Sequence, residues 1–93
     1  MKAIDRETPV CLAALTHYGV HSQIGMVFEE MSELQKELCK YLRGDANEDH
    51  ICEEIADVEI MLRQMKLFFD RGDKVQRYKQ AKINRLASRL ELE

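Results

Sequence analysis

The sequence predicts an all-α domain of four helices. Three observations lead to this prediction. Apolar residues recur with the 3.6-residue period of amphipathic helices, and no run of strand length alternates between apolar and polar residues. The single proline and three of the glycines, Gly19, Gly44 and Gly72, lie at the joints between the periodic segments. The 93-residue chain shows no linker or low-complexity segment, so residues 1–93 are expected to form one domain.

The first helix is predicted to begin with Thr8 as its N-cap. Pro9 would then occupy the first helical position, where the missing N–H group of proline is not needed. The apolar period continues to about Tyr18, and Gly19 is expected to end the helix.

The second helix is predicted to start at the cap Ser22 and to stop at Gly44. Asn47 is the predicted cap of the third helix, which is expected to end at Gly72. Because the joint between these helices is only a few residues long, they should lie antiparallel and in contact. The stripe of the second helix contains Ile24, Val27, Phe28, Met31, Leu34, Leu38 and Leu42, and that of the third Ile51, Ile55, Val58, Leu62, Met65 and Phe69.

The apolar residues of the third helix spread over more than one stripe, and one antiparallel neighbour cannot cover them all. A bundle completed by self-association, as a homo-oligomeric dimer or dimer of dimers, is therefore expected. Asp73 is the predicted cap of the fourth helix, whose apolar residues are Val75, Tyr78, Ile83, Leu86 and Leu90.

The formal net charge of −3 conceals two opposed blocks. Residues 29–59 contain eleven acids against three bases, and residues 71–90 contain seven bases against one acid. The acidic first half argues against binding to nucleic acid. No apolar run approaches a membrane span, no signal-peptide pattern is present, and three cysteines do not form a closed disulfide framework. A soluble, cytoplasmic protein is expected.

Two short acidic segments, residues 28–34 and 52–58, form an internal repeat with an offset of 24 residues. Each places two carboxylates three residues apart, Glu30 with Glu33 and Glu54 with Asp57. At 100° per residue both pairs lie on the flank of a core stripe, so at least one acid of each pair should be partly withdrawn from water.

Carboxylates this close together repel one another and take up protons unless a cation neutralises them. Four oxygen donors from two facing helices suit a hard divalent ion, Mg²⁺ or Mn²⁺. A solvated acidic face is the alternative. A di-iron centre would require Glu-x-x-His, which the sequence does not contain.

The segments Glu30-Met31-Ser32-Glu33 and Glu54-Ile55-Ala56-Asp57 resemble the E-x-x-E and E-x-x-D signatures of the MazG-like, all-α nucleoside triphosphate pyrophosphohydrolases. The residues before the first segment, 23–28, and after the second, 60–62, are similar to the small phage or prophage-type members. The resemblance covers roughly residues 8 to 90. It implies a MazG-like helical bundle that hydrolyses a nucleoside or deoxynucleoside triphosphate to the monophosphate and pyrophosphate.

The resemblance also assigns roles to individual residues. Glu30, Glu33, Glu54 and Asp57 would hold Mg²⁺, with Mn²⁺ as a substitute. One motif carboxylate, Glu33 or Glu30, would take the proton of the attacking water, and we favour Glu33.

The resemblance further implies that Lys82 and Arg85 contact the phosphates, and that His17, His21 and Gln23 contact the base. For Lys82 and Arg85, the alternative is a solvated basic face that pairs with acids of a neighbouring helix. The alternative for the two histidines is a polar helix end beside Gly19. For the whole protein, the alternative is a non-catalytic helical interaction module.

Overall fold

The structure is a computed structural model that describes residues 5–92. These residues form four α-helices and no strand, so the predicted four-helix, all-α fold is confirmed over this range. None of the four helices is long and apolar enough to cross a membrane. The helices are α1 (Glu7–Tyr18), α2 (Val20–Leu42), α3 (Glu48–Phe69) and α4 (Lys74–Arg89).

The start of α1 corrects the prediction that Thr8 caps this helix. The carboxylate of Asp5 accepts hydrogen bonds from the backbone N–H groups of Glu7, at 2.9 Å, and Thr8, at 3.4 Å. Because Asp5 satisfies these two donors, the helix begins at Glu7 and Thr8 lies inside it. The Thr8 hydroxyl instead accepts a hydrogen bond from Arg63 of α3 at 2.8 Å.

A single residue, Gly19, separates α1 from α2. Its φ of 85° and ψ of 151° turn the chain in one step, in a region of backbone space that glycine occupies without steric cost. Its carbonyl already accepts the N–H of Gln23, at 3.1 Å. No loop therefore remains for Ser22 to cap, and the prediction that α2 begins there is wrong, because Ser22 lies in the first turn of α2.

The helices α2 and α3 form the antiparallel hairpin that the short joint predicts, and α1 packs against both. Three cross-helix relations show the register: Gln23 bonds to Gln64, Glu30 lies beside Asp57, and Glu37 bonds to Asn47. Asn47 stands at the N-cap position of α3 but makes no side-chain capping bond. Its amide instead donates to the carbonyl and to the carboxylate of Glu37, both at 2.9 Å.

The connection from α3 to α4 contains a further correction. Asp73 occupies the N-cap position of α4 in the left-handed conformation, with φ 57°, and its side chain makes no capping bond. The carboxylate of Asp70 does so, accepting from the N–H groups of Lys74 at 2.8 Å and Val75 at 3.0 Å. These bonds hold the pKa of Asp70 below its ordinary value.

The core of a single chain is small. Within residues 5–92 the buried apolar side chains are those of Cys11, Val58 and Met61. Several residues of the predicted stripes remain in contact with solvent, including Phe28, which is 68% exposed, and Ile55, which is 41% exposed. No residue of α4 is buried, and this helix packs only sparsely on the rest of the chain.

Candidate metal site

The antiparallel register of α2 and α3 brings the two acidic segments together. The carboxylates of Glu30, Glu54 and Asp57 each offer an oxygen atom, and these three atoms all lie within 4.8 Å of one another. Glu30 comes from α2, and the other two come from successive turns of α3. The hairpin thus converts two separate helix flanks into one cluster of acids.

The electrostatics of this cluster disfavour three negative charges in close proximity. Burial raises the pKa of Glu30, and the charges of Asp57 and Glu54 raise it further. Burial also raises the pKa of Glu54, followed by the charges of Asp57 and Glu33. Both glutamates are half-buried, whereas Asp57 is exposed. In water alone, Glu30 and Glu54 therefore hold protons more tightly than isolated glutamates do.

One atom of the cluster is short of a partner. Glu54 Oε2 is buried and accepts no hydrogen bond from the residues that the structure describes. A buried carboxylate oxygen without a donor is costly, and a cation is the group that would satisfy it. Three carboxylates with one unsatisfied buried oxygen fit the donor set of a hard divalent ion such as Mg²⁺.

Glu33, the fourth acid of the predicted set, lies at the edge of the cluster. Its side chain is exposed, and it is not among the three acids whose oxygens approach within 4.8 Å. Its charge nevertheless acts on the cluster, because it contributes to the raised pKa of Glu54. The structure therefore brings three of the four predicted metal ligands together and leaves Glu33 beside them.

Glu37 is a buried acid that the sequence analysis did not single out. Its carboxylate accepts hydrogen bonds from Asn47, at 2.9 Å, and from the ammonium group of Lys40, at 3.1 Å. The hydrogen bonds from Asn47 and Lys40 lower the pKa of Glu37. Glu37 therefore ionises more readily than an ordinary glutamate, whereas Glu54 ionises less readily. The spacing is the signal that could have found it, because Glu37 follows Glu30 by seven residues and shares its flank.

Gln23, a predicted base contact, is buried and paired. Its amide nitrogen donates to Gln64 Oε1 at 2.7 Å, and the two side chains are only 5% and 4% exposed. The sequence analysis does not single out Gln64. Its position is nevertheless regular, because Gln64 follows Asp57 by seven residues on α3 and Gln23 precedes Glu30 by seven residues on α2. The pair lies about two helical turns from the acid cluster on both helices.

The remaining predicted contacts are exposed. The imidazole of His17 packs edge-on against the ring of Tyr18 with centroids 4.6 Å apart, and His21 lies in the first turn of α2. Lys82 and Arg85 are exposed on α4, which does not pack extensively against α2. Within one chain, helix packing does not bring Lys82 and Arg85 against the acid cluster.

Comparison of the chain with protein-family models, with curated proteins and with solved structures gives no match. The interpretation of the acid cluster therefore depends on its own geometry and on the motifs that form it.

Proposed function

We propose that the protein is a Mg²⁺-dependent nucleoside triphosphate pyrophosphohydrolase. It would convert a nucleoside or deoxynucleoside triphosphate to the monophosphate and pyrophosphate, in the control or sanitation of the cytoplasmic nucleotide pool. One observation carries this proposal: two facing helices hold three carboxylates together at the positions of an E-x-x-E and an E-x-x-D motif. The resemblance to the MazG-like enzymes supports it.

Glu30, Glu54 and Asp57 would hold the divalent ion, with Glu33 as a further ligand from the edge. Bound Mg²⁺ would neutralise the acids, polarise the phosphoryl oxygens and stabilise the charge of the departing pyrophosphate. Without a cation, a triphosphate would be repelled by this cluster, because both carry negative charge.

Glu33 is the candidate general base. It is exposed at the edge of the cluster, where its carboxylate is accessible to a water molecule and can accept a proton from it. Glu30 is the second candidate, although its contact with Glu54 and Asp57 makes it better suited to holding the ion.

Lys82 and Arg85 are proposed to contact the phosphates, since ammonium and guanidinium groups bind phosphate oxygens. Their helix packs sparsely on its own chain, so a homo-oligomer, either a dimer or a dimer of dimers, would be required to seat α4 firmly. His17 and His21 are exposed and are available to contact the nucleobase of the substrate. Gln23 would act either directly, after separating from Gln64, or by holding the helices in register.

The second candidate function is that of a non-catalytic helical interaction module. The specific observation that favours it is the large apolar surface of α3 and α4, including Phe69, which is 61% exposed, and Leu90, which is 60% exposed. Such a surface serves association whether or not the acids perform chemistry.

A panel of canonical and modified deoxynucleoside triphosphates with Mg²⁺ tests the proposal, with pyrophosphate and monophosphate as the measured products. We expect turnover of at least one nucleotide, and we expect Glu33→Gln and Asp57→Asn each to lower kcat by about 100-fold or more. Glu53→Gln is the matched control, because this neighbouring acid is exposed and should retain activity.

Absence of turnover with every nucleotide, or equal activity of the two variants and the wild type, would exclude the enzyme and favour the interaction module. Release of single phosphate ions instead of pyrophosphate would indicate a different hydrolytic reaction.

A further inference from the structure

We propose that the buried hydrogen bond between Gln23 and Gln64 positions the acid cluster. The bond fixes how α2 lies along α3 and which side it presents, and Glu30 of α2 is thereby held beside Glu54 and Asp57 of α3. The two glutamines act as positioning residues that touch neither the ion nor the nucleotide. This role rests on the proposed cation site.

The first observation is that α2 buries polar side chains and no apolar one. Of its 23 residues only Gln23 and Glu37 are buried, with exposed fractions of 5% and 9%. Every apolar residue of α2 keeps part of its surface in contact with solvent, so apolar packing alone specifies the position of this helix loosely. A buried hydrogen-bonded pair is more specific, because a shift of either helix leaves a donor or an acceptor unpaired away from water.

The second observation is the spacing of the polar side chains along the hairpin. On α2, Gln23 precedes Glu30 by seven residues. On α3, Gln64 follows Asp57 by the same seven residues, so on both helices the pair lies on the flank of the cluster, about 10 Å along the axis. Because the offsets are equal, the register that pairs the two glutamines is the register that brings Glu30 beside Asp57. A slip that breaks the first relation also breaks the second.

The third observation is that the pair lies at the open end of the hairpin. At the other end, residues 43–47 connect the two helices and the chain itself limits sliding. Asn47 also donates to Glu37 there, at 2.9 Å. At the open end, the amide nitrogen of Gln23 lies 2.7 Å from Gln64 Oε1 and joins the two helices directly. The acid cluster lies between these contacts, so the helices are held on both sides of it.

A divalent cation tolerates little displacement of its ligands. Oxygen atoms bind Mg²⁺ at about 2.0–2.1 Å in near-octahedral geometry. Side-chain tips lie about 5–6 Å from a helix axis, so a rotation of α2 by about 20° would move the Glu30 carboxylate by about 2 Å. Three carboxylates from two helices therefore form a site only while the helices keep one orientation, and such sites need support to within about 0.5 Å.

Mn²⁺ binding tests this role in the absence of nucleotide, with free Mn²⁺ measured by electron paramagnetic resonance. Gln23→Leu combined with Gln64→Leu replaces the pair with two apolar side chains and leaves the net charge unchanged. Because no buried polar group loses its partner, we expect this double variant to melt at or above the temperature of the wild type. We nevertheless expect its affinity for Mn²⁺ to be at least about tenfold lower.

Cys11→Ala is the matched control, because it removes a buried side chain of α1 and weakens the fold without touching the pair. We expect its folded form to bind Mn²⁺ as the wild type does. An equal loss of affinity in Cys11→Ala and in the double variant overturns the proposal, because affinity would then follow stability. Equal binding by the wild type and the double variant also overturns it, and is the result expected if Gln23 acts only by contacting the base.

A distance measurement tests the helix positions without a metal ion. The chain has three cysteines, of which Cys39 on α2 and Cys52 on α3 are exposed and Cys11 is buried. In the Cys11→Ala chain, nitroxide labels on the other two cysteines report the distance between the helices by pulsed electron paramagnetic resonance, with labelled chain diluted into unlabelled chain. We expect one narrow distance when the glutamine pair is intact and a shifted or broader distribution in the double variant. An unchanged distribution overturns the proposal.

The two measurements distinguish the role of the pair from the proposed function. A wild type that does not bind Mn²⁺ refutes the cation site itself, and the positioning role is lost with it. Equal Mn²⁺ binding by the wild type and the double variant refutes only the role of Gln23 and Gln64 and leaves the cation site in place.

Discussion

Glu54 connects the proposed metal site to the stability of the fold. Its pKa is raised above the ordinary value of 4.5, as is that of Glu30, so the folded chain binds these protons more tightly than the unfolded chain does. Such groups stabilise the fold below their unfolded pKa, and this contribution is lost as the pH rises through the folded pKa. Without a cation, the cluster therefore weakens the fold at neutral pH.

Replacing Glu54 with glutamine should reverse that effect. In EDTA at about pH 7.5, we expect Glu54→Gln to melt a few degrees above the wild type, and we expect the difference to disappear as the pH falls below about 4.5. Mg²⁺ should raise the melting temperature of the wild type and have little effect on the variant. Circular dichroism during heating measures both effects.

Glu53→Gln controls for the loss of one negative charge beside the cluster. It should respond to Mg²⁺ as the wild type does. A Glu54→Gln variant that is less stable than the wild type in EDTA at neutral pH would contradict the assignment of Glu54 as an uncompensated carboxylate.

At the scale of elements, the connection between α3 and α4 depends on Asp70. Its carboxylate accepts hydrogen bonds from the first two free N–H groups of α4. Asp73, although closer to the helix in sequence, contributes only through its backbone, whose carbonyl accepts the N–H of Arg77 at 3.2 Å. The left-handed φ of Asp73 directs the chain so that the donors of Lys74 and Val75 face Asp70.

We expect Asp70→Ala to loosen the first turn of α4. The amide protons of Lys74 and Val75 should exchange with solvent about tenfold faster or more, because their acceptor is removed. In the wild type, the low pKa of Asp70 means that the same protection is present above the unfolded pKa and is lost as the pH falls through the folded value.

Amide exchange followed by NMR measures this change. Asp73→Asn is the control, since asparagine tolerates the left-handed conformation and the side chain makes no capping bond. Faster exchange in Asp73→Asn than in Asp70→Ala would restore Asp73 as the cap.

These elements show which features the sequence could predict. Helical period and breakers predict the four helices, and the short joint predicts the α2–α3 hairpin. Thr8 and Ser22 do not occupy the N-cap positions predicted for them, and Asn47 and Asp73 occupy theirs without a side-chain capping bond, because capping depends on where the preceding chain directs its side chains. Asp5 and Asp70, each only a few residues away, have better geometry.

The candidate site shows the same limit. The repeat of the acidic segments indicates that Glu30, Glu54 and Asp57 share neighbouring flanks, because helix phase is periodic. Burial of Glu37 depends on how the turn folds Asn47 back onto α2, and the pairing of Gln64 depends on a residue 41 positions away. Helical spacing places both residues on the flank of the acid cluster, but their burial and their partners are set by tertiary contacts that the spacing does not show.

At the scale of the whole molecule, charge and packing divide the chain into two parts. The segment from 29 to 59, with its eleven acids, lies in the packed unit of α1, α2 and α3, whereas the basic segment lies mainly on the sparsely packed α4. A chain with so small a core gains much of its stability from any contact that covers its apolar surfaces.

Thermal stability should therefore depend on protein concentration. If two copies bury their α3 and α4 surfaces together only when folded, mass action raises the melting temperature as concentration increases. We expect an increase of several degrees over a hundredfold range in calorimetry. Leu86→Asp should show a weaker dependence, and a concentration-independent wild type would indicate that folding and association are not coupled.

The bond between Thr8 and Arg63 has a consequence for the order in which the chain acquires its structure. These residues are 55 positions apart, and the carboxylate of Glu7 lies 3.5 Å from the same guanidinium group. During synthesis on the ribosome, α1 emerges long before the residue that anchors its first turn. Docking of the first turn of α1 on α3 must therefore wait until most of α3 has left the exit tunnel, which makes this contact a late one in the order of synthesis.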